Sequence, residues 1–184
     1  MAERRSHNLM LLMTLLLAPS VCHGQTYQGP SGGRGGNAFD HWKATGGGTD
    51  ISSVSVLQDK EIRCISVTYR TAPTSANAPL QVKNGFCEPG PGNLDFYGWK
   101  GIGLDADEYI VGIAGRHGDR IDSLRFYTNK KNSPVYGGGG GTVDFGYTAP
   151  QGQMIVAFFG RAGASLDAIG VMYAPCPSQK KGCR

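Results

Sequence analysis

The chain has 184 residues, with 18 Lys and Arg against 14 Asp and Glu and a formal charge of +4 at pH 7. So mild a surplus falls short of the electrostatic footprint of a nucleic-acid binder. The length suits one domain with a single core, and beyond the N-terminus no stretch is long and apolar enough to span a membrane.

Met1-Ala2-Glu3-Arg4-Arg5 is followed by an apolar run from Leu9 to Leu17 and then by Ala18-Pro19-Ser20-Val21-Cys22-His23-Gly24. A basic start, a short greasy stretch and small residues at the end predict a secretory signal peptide over residues 1–24, cleaved near Gly24-Gln25. Removing Arg4, Arg5 and Glu3 from the 18 basic and 14 acidic residues leaves 16 and 13, a formal +3. Of five cysteines, Cys22 leaves with the signal, and Cys64, Cys87, Cys176 and Cys183 remain. An even number in an oxidising compartment reads as disulfides. Four cysteines allow three pairings; the closeness of the last two in one short tail favours Cys64–Cys87 with Cys176–Cys183. No C-x-x-C pair exists, which argues against a metal site, and Asn132-Ser133-Pro134 lacks the hydroxyl of a glycosylation acceptor.

Along the mature chain, Val54–Val56, Ile62–Tyr69, Tyr109–Ala114, Ser123–Tyr127, Met154–Phe159 and Ala168–Tyr173 are β-branched or aromatic runs bounded by turn residues, and are predicted strands. Many short strands and no helical period predict an all-β sandwich, barrel or prism. Internal comparison narrows the choice. Ile62–Tyr69, Ile121–Thr128 and Leu166–Tyr173 share one pattern; Gly36–Asp40, Gly92–Phe96 and Gly141–Phe145 share another, and the two alternate along the chain. Three similar units, none able to bury its apolar face alone, imply a pseudo-threefold assembly around one core.

Several patterns are set aside. Tyr136 and the five glycines Gly137–Gly141 lack the Gly-Lys-Ser/Thr ending and the following helix of a phosphate loop. Asp105-Ala106-Asp107-Glu108 lacks the turn glycine and distal acid of a calcium loop and reads as a solvated turn. His41 and His117 are too separated for a catalytic triad, and Trp42 and Trp99 read as core or rim packing.

Phe158 to Gly170 is the strongest local pattern: a strand, a loop containing Gly163-x-x-x-Asp167, and a second strand. Glycine allows close backbone approach, loop N–H groups donate, and a carboxylate accepts at several positions. That combination complements the adjacent hydroxyls of a sugar, although an Asp that caps a turn has the same local pattern.

The segment FFGRAGASLDAIGVMY, with SLRFYTNKK and the opening GPSGGRGGNAFD, closely resembles the jacalin-related lectins over roughly Tyr27 to Tyr173, and the tail Pro175–Cys183 is similar to that of the vertebrate zymogen-granule lectins of that family. The resemblance implies a lectin domain over residues 25–174 with a cysteine-containing basic tail over 175–184. Its fold would be an all-β prism of three four-stranded Greek-key sheets with a carbohydrate site at one end. In that site the Asp167 carboxylate accepts from two sugar hydroxyls, and the N–H groups of Ala164, Ser165 and Leu166 donate from the Gly163–Asp167 loop. Gly35 and Gly36 lie alongside, and a recognition loop, Arg116-His117-Gly118-Asp119-Arg120, forms the outer wall. Relatives with an uncleaved glycine-rich loop prefer mannose or glucose; this loop lies inside the mature chain, so mannose-type glycans are expected. Arg116 and His117 stand where many relatives carry an aromatic or Lys, and would instead suit sulfated or uronic-acid glycans.

Repeat two carries its own G-x-x-x-D, Gly118 to Asp122, faced by Gly140 and Gly141, and is read either as a weaker second sugar site or as a wall of the first. Repeat one has Asp59-Lys60-Glu61-Ile62-Arg63 there and no such motif. Lys180, Lys181, Arg184, Lys130, Lys131, Arg116 and Arg120 supply scattered positive charge, explained by solubility or, more sharply, by a rim for acidic polysaccharides. A glycoside hydrolase is disfavoured because Asp167 has no second carboxylate facing it, and its expected hydrogen bonds would lower its pKa. No cofactor or metal is expected. The remaining alternative is an interaction protein with a vestigial sugar site, acting by protein contacts or by self-association into a homo-oligomer.

Overall fold

The computed structural model describes residues 24–47, 50–70, 79–88, 98–178, 180 and 182–183. Residues 1–23 of the expected signal peptide, with Cys22 and His23, the echo Gly92–Phe96, and Lys181 and Arg184 lie outside them.

Twelve strands hold most of the described chain: β1 Thr26–Gly32, β2 Asn37–Asp40, β3 Ile51–Gln58, β4 Ile62–Tyr69, β5 Leu80–Gly85, β6 Gly98–Gly103, β7 Ile110–His117, β8 Ile121–Thr128, β9 Tyr136–Gly137, β10 Val143–Thr148, β11 Gln153–Ala162 and β12 Leu166–Pro175. The one helical turn among the described residues, α1 His41–Ala44, starts at Asp40, whose side chain accepts from the Lys43 amide. Among the described residues no helix is long and apolar enough to cross a membrane.

The pairing is antiparallel throughout and gives three four-stranded groups: β2-β11-β12-β1, β10-β7-β8-β9 and β6-β3-β4-β5. The last two have the Greek-key order 4-1-2-3, and the first has it too once the chain ends are joined, because the N-terminal strands flank the C-terminal hairpin. A single register pair, Ile155 with Ile110, links the first two groups. The expected prism of three Greek-key sheets is therefore present. Each echoed octapeptide is one of the two inner strands of its sheet: Ile62–Tyr69 is β4, Ile121–Thr128 is β8, and Leu166–Tyr173 lies in β12. Each of the three is crossed by a positive-φ glycine, Gly85, Gly137 or Gly32, packed on the carbonyl of Arg63, Asp122 or Asp167 respectively. A side chain at those points would strike that backbone, so the same residue type recurs three times for one steric reason.

Alternation along these strands turns Ile65, Val67 and Tyr69 of β4, Leu124 and Phe126 of β8, and Ile169 and Val171 of β12 into one core, all nearly inaccessible to solvent. Phe126 and Phe158 meet edge to face there with centroids 6.2 Å apart. A smaller cluster of Tyr109, Met154, Val156, Ala157, Met172 and Ala174 lies outside the first sheet, under Trp42 and the half-cystines Cys176 and Cys183. Trp42 is thus packing, as expected. Trp99 is about one-third exposed, with the Lys83 ammonium 5.6 Å from its ring centroid.

The disulfides join Cys64 to Cys87 and Cys176 to Cys183. The second closes a loop whose Lys180 departs from the exposed, solubilising role expected of the tail. Its side chain is buried, and Nζ reaches Asp50 Oδ1 at 2.9 Å and the carbonyls of Ala106 and Glu108 at 2.7 and 3.1 Å. A cation inside is tolerable only with such partners, and they lie in distant segments that spacing does not reveal. The 105–108 turn likewise departs from a solvated one at Glu108, which is fully buried, accepts from Thr128 Oγ1 at 2.7 Å and pairs with Lys131.

His41 is also fully buried, its Nε2–H donating to Asn84 Oδ1 at 2.6 Å and its Nδ1 facing the Tyr69 hydroxyl at 3.2 Å. Burial holds its pKa below the ordinary value, against the Asn84 bond and the Asp40 charge, which pull it up. The unfolded chain therefore binds the proton more readily, and stability rises with pH across this group. Its contribution is complete above about pH 6.5 and falls away below it. Melting curves from pH 7.5 to 5 should show a declining midpoint, and His41→Gln should flatten that slope.

Candidate functional site

At one end of the prism the three β-hairpins turn over at residues 59–63, 118–122 and 163–167, and two of these turns form cups of matching construction. In the first, β11 ends at Ala162, the Gly163 N–H donates to the Ser165 carbonyl at 2.9 Å, and β12 starts at Leu166. This tight turn leaves Gly163 and Ala164 exposed while Ser165 and Leu166 face inward. Asp167 lies just inside, 7% exposed, and its Oδ2 is buried without a hydrogen-bond partner.

The glycine loop forms the opposite lip. The Gly33 N–H donates to the Asp167 carbonyl at 2.8 Å, and Gly35 and Gly36 follow over the carboxylate. A Cβ built on Gly35 would stand 2.6 Å from Asp167 Oδ1, and one on Gly36 2.5 Å from Oδ2; Gly36 also has φ +55°. Any other residue would fill the cup. The carbonyls of Gly35 and Gly36 are held from beneath by the Arg161 guanidinium at 2.7 and 2.6 Å. Sequence reasoning passed over Arg161, although Arg116 recurs at the same place before Gly118, two residues ahead of each G-x-x-x-D.

The carboxylate's pKa is raised, in correction of the lowering expected from its loop. Desolvation by burial is the larger cause and Glu61 adds to it, while Arg120, Arg161 and the Gly163 amide pull the other way. What the cup offers is an anion with an unspent acceptor atom, beside exposed backbone.

In the second cup the Gly118 N–H donates to Asp122 Oδ2 at 3.0 Å, and Cβ atoms on Gly140 and Gly141 would strike the two oxygens of that carboxylate. Gly118, Asp122, Gly140 and Gly141 are therefore brought together as the sequence implied, and Asp122 is more open than Asp167. Arg116 and His117, expected as the wall of the first cup, belong to the second. Arg116 donates to the Gly139 carbonyl and pairs with Asp144, and His117 packs on Phe145 at 5.9 Å between centroids. The reason is strand pairing: both residues end β7, where its partner is β10 (Val143–Thr148), while the one pair that joins β7 to β11, Ile110 with Ile155, lies at the other end of the strand. The part of the 116–120 loop that does approach Asp167 is Asp119, whose carbonyl faces Gly33, and Arg120. In the third hairpin Arg63 takes the place of the aspartate.

A family model for the jacalin-like lectin domain matches residues 28–172. Horcolin of Hordeum vulgare is 33% identical over 160 residues, which is 80% of this chain and 95% of that protein. The mannose/glucose-specific lectin of Parkia pendula is 29% identical over 155 residues, 81% of this chain and 32% of that protein. Among solved structures, wild-type Malaysian banana lectin superposes with a TM-score of 0.66 at 27% identity, covering 83% of this chain and all of that one. The mannose-binding lectin of champedak gives 0.65 at 30% identity, covering 82% and 97%, and the artocarpin–mannotriose complex gives 0.65 at 28% with the same coverage. With three Greek-key sheets, a glycine loop facing a G-x-x-x-D turn, and a family match across nearly the whole described domain, this chain belongs to the jacalin-like lectins, a family of carbohydrate-binding proteins and not of enzymes.

Proposed function

We propose that this chain is a secreted, metal-independent lectin for mannose- or glucose-type glycans, and that it grips a terminal pyranose in the Asp167 cup. The observation that carries this reading is the buried, unpartnered Oδ2 of Asp167 under two glycines that no side chain could replace. A buried acceptor without a partner costs free energy that a ligand hydroxyl can recover. Two vicinal hydroxyls donate to the carboxylate, and the exposed Ala164 turn donates back to sugar oxygens. The lip formed by Gly35 and Gly36 sets the distance. No ion is required, because the carboxylate and the amides meet the hydroxyls directly.

Mannose-type preference is supported by a glycine loop that follows residues 25–31 without interruption, and by relatives and neighbours whose names specify mannose or glucose. Export is supported by the N-terminal pattern and by two disulfides. A glycan array probed with the protein purified from medium, with and without EDTA, tests all three points together. Binding confined to mannose- and glucose-terminated glycans and indifferent to EDTA is expected, with an N-terminus near Gln25. Silence across the array would favour the reading as an interaction protein with a vestigial site.

The matching construction of the Asp122 cup supports a second, weaker sugar site. Asp167→Ala should then retain residual mannoside binding, and Asp122→Ala should remove that remainder. Acidic polysaccharide has less support, since Lys130, Lys131 and Lys180 are each paired with acids. Retention on heparin should be slight and abolished by modest salt.

A further inference from the structure

The three turns at the tip are equivalents, and each is closed by the same bond, from the N–H of its first residue to the carbonyl of its third: Asp59 to Glu61 at 3.0 Å, Gly118 to Arg120 at 3.1 Å and Gly163 to Ser165 at 2.9 Å. The side chains of those third residues meet. Ser165 Oγ donates to Glu61 Oε1 at 2.5 Å, and Arg120 Nη1 lies 3.0 Å from that oxygen and 3.3 Å from Oε2. Residues related by a threefold arrangement can touch one another only near its axis. Glu61 therefore stands where the three sheets converge, with its side chain 14% exposed. Arg63, in the place of the missing aspartate, adds bonds to Glu61 Oε1 at 3.0 Å and to Ser165 Oγ at 3.1 Å.

We infer that Glu61, from the repeat that lacks the aspartate, is a positioning residue for the Asp167 and Asp122 cups, joining the 163–167 turn and the 118–122 turn through one carboxylate. The inference builds on the proposed sugar sites. Charge-assisted bonds in a partly buried network are strong and directional. One end of this network fixes Ser165, whose turn carries the exposed amides of the first cup. The other end fixes Arg120, between Gly118 and Asp122, and holds its charge beside Asp167. Glu61→Gln keeps the shape of the side chain and removes the charge that both partners share.

The test is a methyl α-mannoside titration followed by amide NMR of the full chain and its Glu61→Gln and Arg120→Gln variants. In the unliganded Glu61→Gln protein, the amides of Ala164, Ser165, Asp119 and Arg120 should all shift. Mannoside affinity should fall about tenfold, the scale on which a lost support behind a binding shell acts elsewhere. Arg120→Gln, altered at an exposed residue, should shift the Ser165 amide across the axis. If Glu61→Gln does not fold, the Arg120→Gln result alone decides. Turn amides unmoved in a folded variant that binds as tightly as wild type would overturn the inference. Failure of the wild-type protein to bind the mannoside refutes the sugar reading instead, and the unliganded amide shifts still judge the role of Glu61.

Discussion

Asp167→Asn abolishes mannoside binding at the first cup and leaves the melting temperature unchanged or raised. The binding loss follows from chemistry: a carboxylate accepts from two hydroxyls at once, whereas an amide offers one acceptor and sets an NH2 group against the other. Hydrogen bonds to a charged group contribute about 1.5–3 kcal/mol each, so losing even one weakens binding by roughly tenfold to a hundredfold or more. For a shallow monosaccharide site that lies beyond detection in an ordinary titration. The stability result follows from burial. With its pKa raised chiefly by desolvation, Asp167 is harder to ionise in the folded protein than in the unfolded chain. Its ionised form is a cost to the fold that sets in as pH rises past the ordinary Asp value of about 3.9, and a neutral amide removes that cost. The same shift makes mannoside affinity decline, on acidification, at a higher pH than an ordinary aspartate would dictate. Calorimetric titration and thermal melts of the two proteins, in parallel, check both signs.

Phe158→Ala is expected to lower the unfolding free energy by about 3–5 kcal/mol, the usual cost of truncating a buried phenylalanine when the cavity cannot collapse. The ring is fully buried, meets Phe126 edge to face at 6.2 Å and reaches the His41 ring at 6.4 Å. It belongs to β11, while its neighbours come from β8 and from α1, so removal opens a gap bordered by separate elements that cannot all move in. Urea unfolding reads the change as a lower midpoint at constant slope. A loss below about 1 kcal/mol would mean that the prism core relaxes far more freely than packed interiors do.

How much was legible in advance depended on whether a feature recurs locally. β4, β8 and β12 could be read because each presents a β-branched, alternating octapeptide, and because the octapeptides repeat. β1, β2, β5, β6, β9 and β10 were not foreseen as strands, although β2 and β10 carry the second echo. Gly98-Trp99-Lys100-Gly101-Ile102-Gly103, for instance, lies at a sheet edge, half of it glycine, with one side chain in contact with the core. Such a strand is held by its neighbour and not by its own preference. Both cups were legible because glycine and aspartate recur at fixed spacing with a mechanism attached. Contacts across the repeats were not. The contacts of Arg116 and His117 with Gly139, Asp144 and Phe145 around the second cup could not be read from loop order along the chain. Glu61 attracted no notice because the two turns it joins reach it through Arg120 and Ser165, 59 and 104 residues away. The burial of Lys180 and Glu108 was hidden for the same reason: a charged residue in a polar segment gives no local sign of a distant partner.

A crystal of the protein grown with methyl α-mannoside tests the central claim most directly. The account predicts a pyranose bound at the first cup, with two adjacent hydroxyls on the Asp167 carboxylate, the amides of the 164–166 turn on sugar oxygens, and Gly35 and Gly36 against the ring. A crystal saturated with the sugar in which Asp167 Oδ2 still lacks a partner and Gly36 still covers it would contradict the account.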